Sequence, residues 1–176
     1  MSVHLILGGA RSGKSSFAET NVKQCAEGKV LHYVATAIAF DQEMQKRIQH
    51  HQQRRDESWQ EHECPLQLPQ LISRFTADDV VLVDCLTLWL NNVIFEQGEA
   101  AQDETIRSKV DELVAALADS SAHIVLVSNE VGLGVVPMGE VTRLFVDHAG
   151  WMNQALAKVA DQVTFVAAGL PMKLKG

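Results

Sequence analysis

The segment Gly8-Gly9-Ala10-Arg11-Ser12-Gly13-Lys14-Ser15 fits the spacing G-x-x-x-x-G-K-[ST]. This pattern constrains the fold because it works only between a buried strand and a helix. Both flanks are present. Residues 3–7 form a short apolar run, which predicts a strand. From Lys14 onward Phe17, Ala18, Val22 and Cys25 recur near a helical period, and Gly28 is the expected helix stop. In that setting successive N–H groups form a nest for an anion, and the helix adds the positive end of its dipole. Gly8 and Gly13 keep Cβ atoms away from the phosphates, Lys14 supplies a point charge, and Ser15 offers a hydroxyl to Mg²⁺. The alternative is an ordinary strand–helix turn with a chance lysine. The strand–loop–helix context favours binding of a nucleoside triphosphate.

The rest of the chain continues the same alternation. Apolar runs at 30–35, 80–83, 124–127 and 163–167 predict strands, and 170–174 predicts a short edge strand. Helices are expected over 42–53, 71–75, 86–95, 104–118 and 141–160, with Asp41 as a cap for the first. The stretch 54–69 is polar and irregular, 97–103 is expected to be a mobile loop, and 132–139 is a glycine-rich loop. Strands that are apolar throughout and separated by helices indicate a mostly parallel sheet covered on both faces. The expectation is a single α/β domain, 1–176, with a doubly wound sheet.

Composition removes several functions. Fifteen Lys and Arg against 22 Asp and Glu leave a net charge of −7, which argues against a broad nucleic-acid surface. No apolar run reaches the roughly 18 residues of a membrane span. The N-terminus lacks a basic start and a cleavage site, so no signal peptide is expected and a cytoplasmic location is the default. Cys25, Cys64 and Cys85 are scattered and odd in number, which suggests buried thiols in a reducing compartment.

Two further features carry chemistry. Asp84 ends an apolar strand, where ligands sit in such sheets, and it could complete a metal site with Ser15. The competing role is a cap for the next helix. Arg47, His50, His51 and Arg54 share neighbouring parts of one surface if 42–53 is helical, with Arg55 following. Imidazole among guanidinium groups suits phosphoryl-type chemistry, although a solvated helix face explains the same residues. Zinc fits poorly, because adjacent histidines diverge and no cysteine or acid completes a ligand spacing.

With these pieces in place, the chain resembles the bifunctional adenosylcobinamide kinase / adenosylcobinamide-phosphate guanylyltransferase family of cobalamin biosynthesis. The segments that carry the resemblance are LGGARSGKSSFAE, YVATA, DQEMQKRIQHHQQRR, Trp59 with Glu63, VVLVDCLTLWLNN, VSNEVGLGVVP and RLFVDHAGWMNQALAKVADQV. They run in order along nearly the full length. The resemblance implies a RecA-like P-loop fold, ATP or GTP as phosphoryl donor, Mg²⁺, and a homotrimer. It implies phosphorylation of the hydroxyl of adenosylcobinamide. It also implies transfer of GMP from GTP, through a guanylylated histidine, to adenosylcobinamide phosphate, giving adenosylcobinamide-GDP.

By that resemblance His50 is the nucleophile, with Lys14 as the other catalytic residue. Gly8, Gly9, Ala10, Arg11, Ser12, Gly13, Lys14 and Ser15 hold the phosphates. Ala35, Thr36, Ala37, His51, Arg54, Glu63 and Asp84 lie at the nucleotide, and Ser15 and Asp84 at the metal. The chain departs from the family at Arg55-Asp56, where Arg-Pro is frequent, at Ala37, where a small hydroxyl residue is common, and at Trp151, where arginine is frequent. Other readings are a guanylyltransferase without kinase activity, a P-loop small-molecule kinase without a covalent histidine, and a nucleotide-driven switch protein.

Overall fold

Seven strands build the sheet of this computed structural model, in the order β3-β2-β4-β5-β1-β6-β7. The structure describes residues 2–38, 58–98 and 102–176. The strands are β1 (Ser2–Gly8), β2 (Val30–Ala35), β3 (Trp59–Glu63), β4 (Asp79–Asp84), β5 (His123–Asn129), β6 (Gln162–Ala167) and β7 (Leu170–Lys175). Only β7 runs antiparallel to its neighbour. The described helices are α1 (Lys14–Cys25), α2 (Leu68–Ile72), α3 (Leu86–Gln97), α4 (Asp103–Asp119) and α5 (Glu140–Val159).

The central strands are apolar throughout because both faces are covered. Val3, Leu5 and Leu7 of β1 join Val81, Val83, Ile124 and Leu126 under α2, α3, α4 and α5. The alternate residues Ile6, Leu82, Val125 and Val127 face α1, which contributes Ala18 and Val22. Strand alternation therefore assigns each side chain to one face. Asp84 continues the Val80, Leu82 series, and Asn129 continues the Val125, Val127 series, so both point to the side of α1.

The predicted doubly wound α/β fold is present, with local corrections. Residues 54–69 are not irregular throughout, since they contain β3, an outer strand in which Trp59 alone is buried. One buried residue gives no period to detect. The predicted helix at 71–75 lies instead at Leu68–Ile72, opened by Pro69 in its first turn. Proline suits that position because the N–H it lacks has no partner there. Helix α1 stops at Cys25 with Ala26 as its C-cap, and Gly28, at φ 73°, turns the chain into β2 afterwards. The expected loop at 97–103 is shortened by α3 and α4, and 99–101 lie outside the described residues. Cys64 and Cys85 are buried as expected, but Cys25 is exposed.

The predicted edge strand β7 forms a hairpin with β6. Its two-residue turn is Ala168 and Gly169, at φ 51° and 78°. Two successive positive φ angles match the twist of a tight hairpin, a conformation that glycine accepts and alanine tolerates at a cost.

Candidate active site

The phosphate-type loop is held in shape from below. Ser12 N–H donates to Gly9 O at 3.3 Å, and the hairpin's Gly169 N–H donates to Ser12 O at 2.8 Å. A methyl group at Gly8 would lie 2.5 Å from Val166 O and 2.6 Å from Ser12 Oγ. Phosphate access is one reason for glycine at position 8. The structure adds a nearer one, close packing of β1 against β6. Gly13 has φ 94°, and a methyl there would come within 3.2 Å of Gly169 Cα. Arg11 takes φ 55° and is exposed, as is Ala10, beside a half-buried Gly9.

Lys14 is buried, with 8% exposure, and Nζ donates to Gly9 O at 3.0 Å. Burial pushes its pKa below the usual lysine value, while Cys85 and the Asp84 charge pull it back up. Lys14 and Asp84 thus share one electrostatic neighbourhood. The Ser15 hydroxyl makes no hydrogen bond among the described residues. Ser15 and Asp84 present hard oxygen donors of the kind that suit Mg²⁺. Asp84 does not cap α3: the N-cap is Cys85, and no side chain bonds the helix start. Its carboxylate accepts from Tyr33 Oη at 3.4 Å.

The carboxyl ends of β2, β4 and β3 gather most of the other predicted residues. Ala35 pairs in register with Asp84 on one side and Glu63 on the other. Thr36 is fully buried, and its hydroxyl donates to Cys85 O at 2.7 Å while accepting from Cys85 N–H at 3.0 Å. That side chain is spent on the backbone. Ala37 is half-buried beside it. Glu63 is exposed at the end of β3, in a cleft of about 270 Å³ shared with His62, Cys64, Gln67, Gln70 and Arg74. Four strand spacings separate β3 from β1, about 19 Å at the usual spacing. The loop and Glu63 therefore stand at opposite ends of one edge. His50, His51, Arg54, Arg47 and Arg55 lie outside the described residues.

Sequence reasoning gave no role to the polar side chains of α3. Asn92 is buried and donates both amide hydrogens, to Thr36 O at 2.7 Å and Pro65 O at 3.1 Å. Trp89 Nε1–H donates to Leu66 O at 3.0 Å. Thr87 Oγ1 accepts from Asn129 Nδ2 at 2.7 Å. The available signal was Thr87 and Asn92 lying among the apolar residues of this helix, since buried polar groups need partners.

The family model for cobinamide kinase / cobinamide phosphate guanyltransferase matches residues 4–174. A bifunctional adenosylcobalamin biosynthesis protein CobP of Pseudomonas aeruginosa is 46% identical over 98% of this chain and 96% of its own. CobU of Salmonella typhimurium, with the same description, is 39% identical over 97% of this chain and 98% of its own. A solved KaiC-like protein of Pyrococcus horikoshii superposes with TM-score 0.51 at 12% identity, covering 93% of this chain and 70% of the other. At that identity the likeness concerns the fold alone. Among the described residues no helix is long and apolar enough to cross a membrane.

Proposed function

The chain belongs to the cobinamide kinase / cobinamide phosphate guanyltransferase family, and from that premise we propose how its residues divide the two transfers. It is an enzyme of cobalamin biosynthesis that phosphorylates adenosylcobinamide and then guanylylates the product. The observation that carries the division is the formed phosphate loop, with Lys14 buried beside Asp84.

In this reading residues Gly8 to Ser15 hold the triphosphate of ATP or GTP through backbone N–H groups. Ser12 Oγ, which is buried and has no partner among the described residues, adds a polar contact there. Lys14 offsets the charge that builds up on the leaving phosphate oxygens. Ser15 and Asp84 would hold Mg²⁺, which supplies Lewis-acid charge neutralisation when bound. At the far end of the edge, Glu63 accepts from the ring N–H and amino group of guanine, and Ala35, Ala37, His51 and Arg54 serve as further nucleotide-binding residues.

His50 carries the guanylyl group. An imidazole nitrogen attacks the α-phosphorus of GTP and forms a P–N bond. The bond from α-phosphorus to the bridging oxygen breaks, and pyrophosphate leaves with the electron pair. A phosphate oxygen of adenosylcobinamide phosphate then displaces the imidazole, which regains its lone pair. One domain serves both steps, in the cytoplasm and as a homotrimer. The exposed apolar run Leu133, Val135, Val136 and Met138 supports self-association.

Incubation with Mg²⁺ and α-phosphate-labelled GTP tests the histidine. Wild type should acquire acid-labile, alkali-stable label, and His50→Ala should acquire none. Equal labelling of both would remove His50 from the mechanism. Lys14→Ala should lose about 1000-fold or more in both transfers. Unimpaired kinase turnover in that variant would reveal a second triphosphate site.

A further inference from the structure

Strand β5 lies between β1, which leads into the phosphate loop, and β4, which ends at Asp84. Asn129, the last residue of β5, is level with Gly8. Its side chain leaves the sheet on the α1 side, where Lys14 and Asp84 also are. The loop and the strand end are bonded directly, since Glu130 N–H donates to Gly8 O at 3.1 Å.

Asn129 is clamped by two helices. From α5, Asn153 Nδ2 donates to Asn129 O at 3.3 Å, while Asn153 Oδ1 accepts from Ser128 Oγ at 2.7 Å. From α3, the buried Thr87 receives the Asn129 amide nitrogen at 2.7 Å, and Cys85 Sγ lies 3.8 Å from the same nitrogen. The amide hydrogens therefore face the buried Thr87–Cys85 pair. The carbonyl Oδ1 is turned the other way and has no hydrogen bond among the described residues.

An amide oxygen repels phosphate oxygens, because both accept hydrogen bonds. It suits an O–H donor. We propose that Asn129 Oδ1 receives the acceptor hydroxyl in the kinase step and aims its oxygen at the γ-phosphorus, with Thr87 as the residue that sets the amide. The inference rests on the kinase reading above. In the step the acceptor oxygen forms the new P–O bond. The bond from γ-phosphorus to the β,γ-bridging oxygen breaks, and the nucleoside diphosphate leaves with that electron pair. The hydroxyl proton is released to water, since the amide is not a base. In the guanylyl step the acceptor is a phosphate oxygen without a proton to offer, so Asn129 has no partner there.

The test measures both steps separately in the full-length protein. Asn129→Ala should lower kcat for phosphorylation of adenosylcobinamide about 100-fold, the effect of a misaligned acceptor. The KM for ATP, and the rate of guanylyl-enzyme formation from GTP, should stay within about threefold, because ground-state nucleotide binding is not removed. Thr87→Val should fall about tenfold in the same kcat, and Thr87→Ser should restore it, since only the hydroxyl matters. A parallel loss of both steps, or a raised KM for ATP at unchanged kcat, would mean that Asn129 only shapes the loop, and would overturn the assignment. If Asn129→Ala does not fold, the Thr87 pair decides: equal kinase kcat in wild type, Thr87→Val and Thr87→Ser overturns it. Wild type that is guanylylated but phosphorylates no adenosylcobinamide would instead refute the kinase reading, and this inference with it.

Discussion

At one edge of the sheet β7 leaves all 6 of its residues exposed, yet its turn packs directly beneath the phosphate loop through Gly169. At the other edge β3 buries Trp59 and holds Glu63 out toward solvent beside a cleft. The first edge shapes backbone and the second presents a side chain. A ligand group held by backbone N–H groups depends on the positions of many atoms at once. A group read by one carboxylate depends on that carboxylate. Damage at the β7 edge should therefore spread to every reaction that uses a triphosphate, whereas damage at the β3 edge should change only which base is preferred.

Gly8→Ala tests the first half and has the largest expected effect. The added methyl meets Val166 O at 2.5 Å, a backbone atom that cannot swing aside. The variant should lose about 2 kcal/mol of stability, as overpacked sites do. Both transfers should fall about 100-fold, because the displaced loop misplaces the phosphates. Chemical denaturation and separate assays of the two steps measure this. Loss of one transfer alone would show that the hairpin does not set the whole loop.

The two edges also differ in how well the sequence reveals them. The loop and its flanks are legible because each fixed residue meets a local requirement: glycine where φ is positive at Gly13, lysine within reach of Gly9 O, an apolar run before both. Strand β7 is legible as a second apolar run after a turn glycine. Strand β3, with Gln60, Glu61 and Glu63 exposed, lacks the alternation that betrays a strand. Its place is set by pairing with β2, a long-range contact with no local signature. Thr36 shows the same limit inside the site. Family resemblance places it at the nucleotide, but only the fold shows its hydroxyl bridging both backbone groups of Cys85. Asn129 lies in the segment VSNEVGLGVVP, two residues past the strand predicted at 124–127, while its tie to Thr87 spans 42 residues of sequence and depends on the packing of α3.

Glu63→Gln tests the second half. Removing one charged acceptor should raise the KM for GTP about tenfold, the worth of one hydrogen bond to a charged group. The kinase rate with ATP and the melting temperature should not change, because Glu63 is exposed and outside the core. An equal loss with ATP would place Glu63 at something other than the guanine ring and would blur the contrast between the edges.

The smallest effect separates the edges by pH. Beneath β3, Asp79 accepts from Thr76 N–H at 2.7 Å, from the Thr76 hydroxyl at 3.0 Å and from His32 Nε2 at 2.9 Å, and His32 Nδ1 is 2.9 Å from His62 Nε2. Burial, and secondarily the His32 neighbour, lowers the pKa of His62. Burial would raise Asp79, but its hydrogen bonds outweigh that and hold it below the usual range. For both groups the unfolded chain binds protons more readily than the folded one, so stability rises with pH. The His62 contribution is present above about pH 6.5 and is lost as pH falls through the lowered folded value; the Asp79 contribution follows below about pH 4. His4 and His123 are also lowered by burial and act in the same direction. The melting temperature should therefore be lower at about pH 5.5 than at about pH 7.5. His62→Gln should narrow that gap without altering the loop, because glutamine does not titrate and the β7 edge is untouched. An unchanged gap would assign the pH dependence to His4 in β1 and His123 in β5, and so to the middle of the sheet rather than its β3 edge.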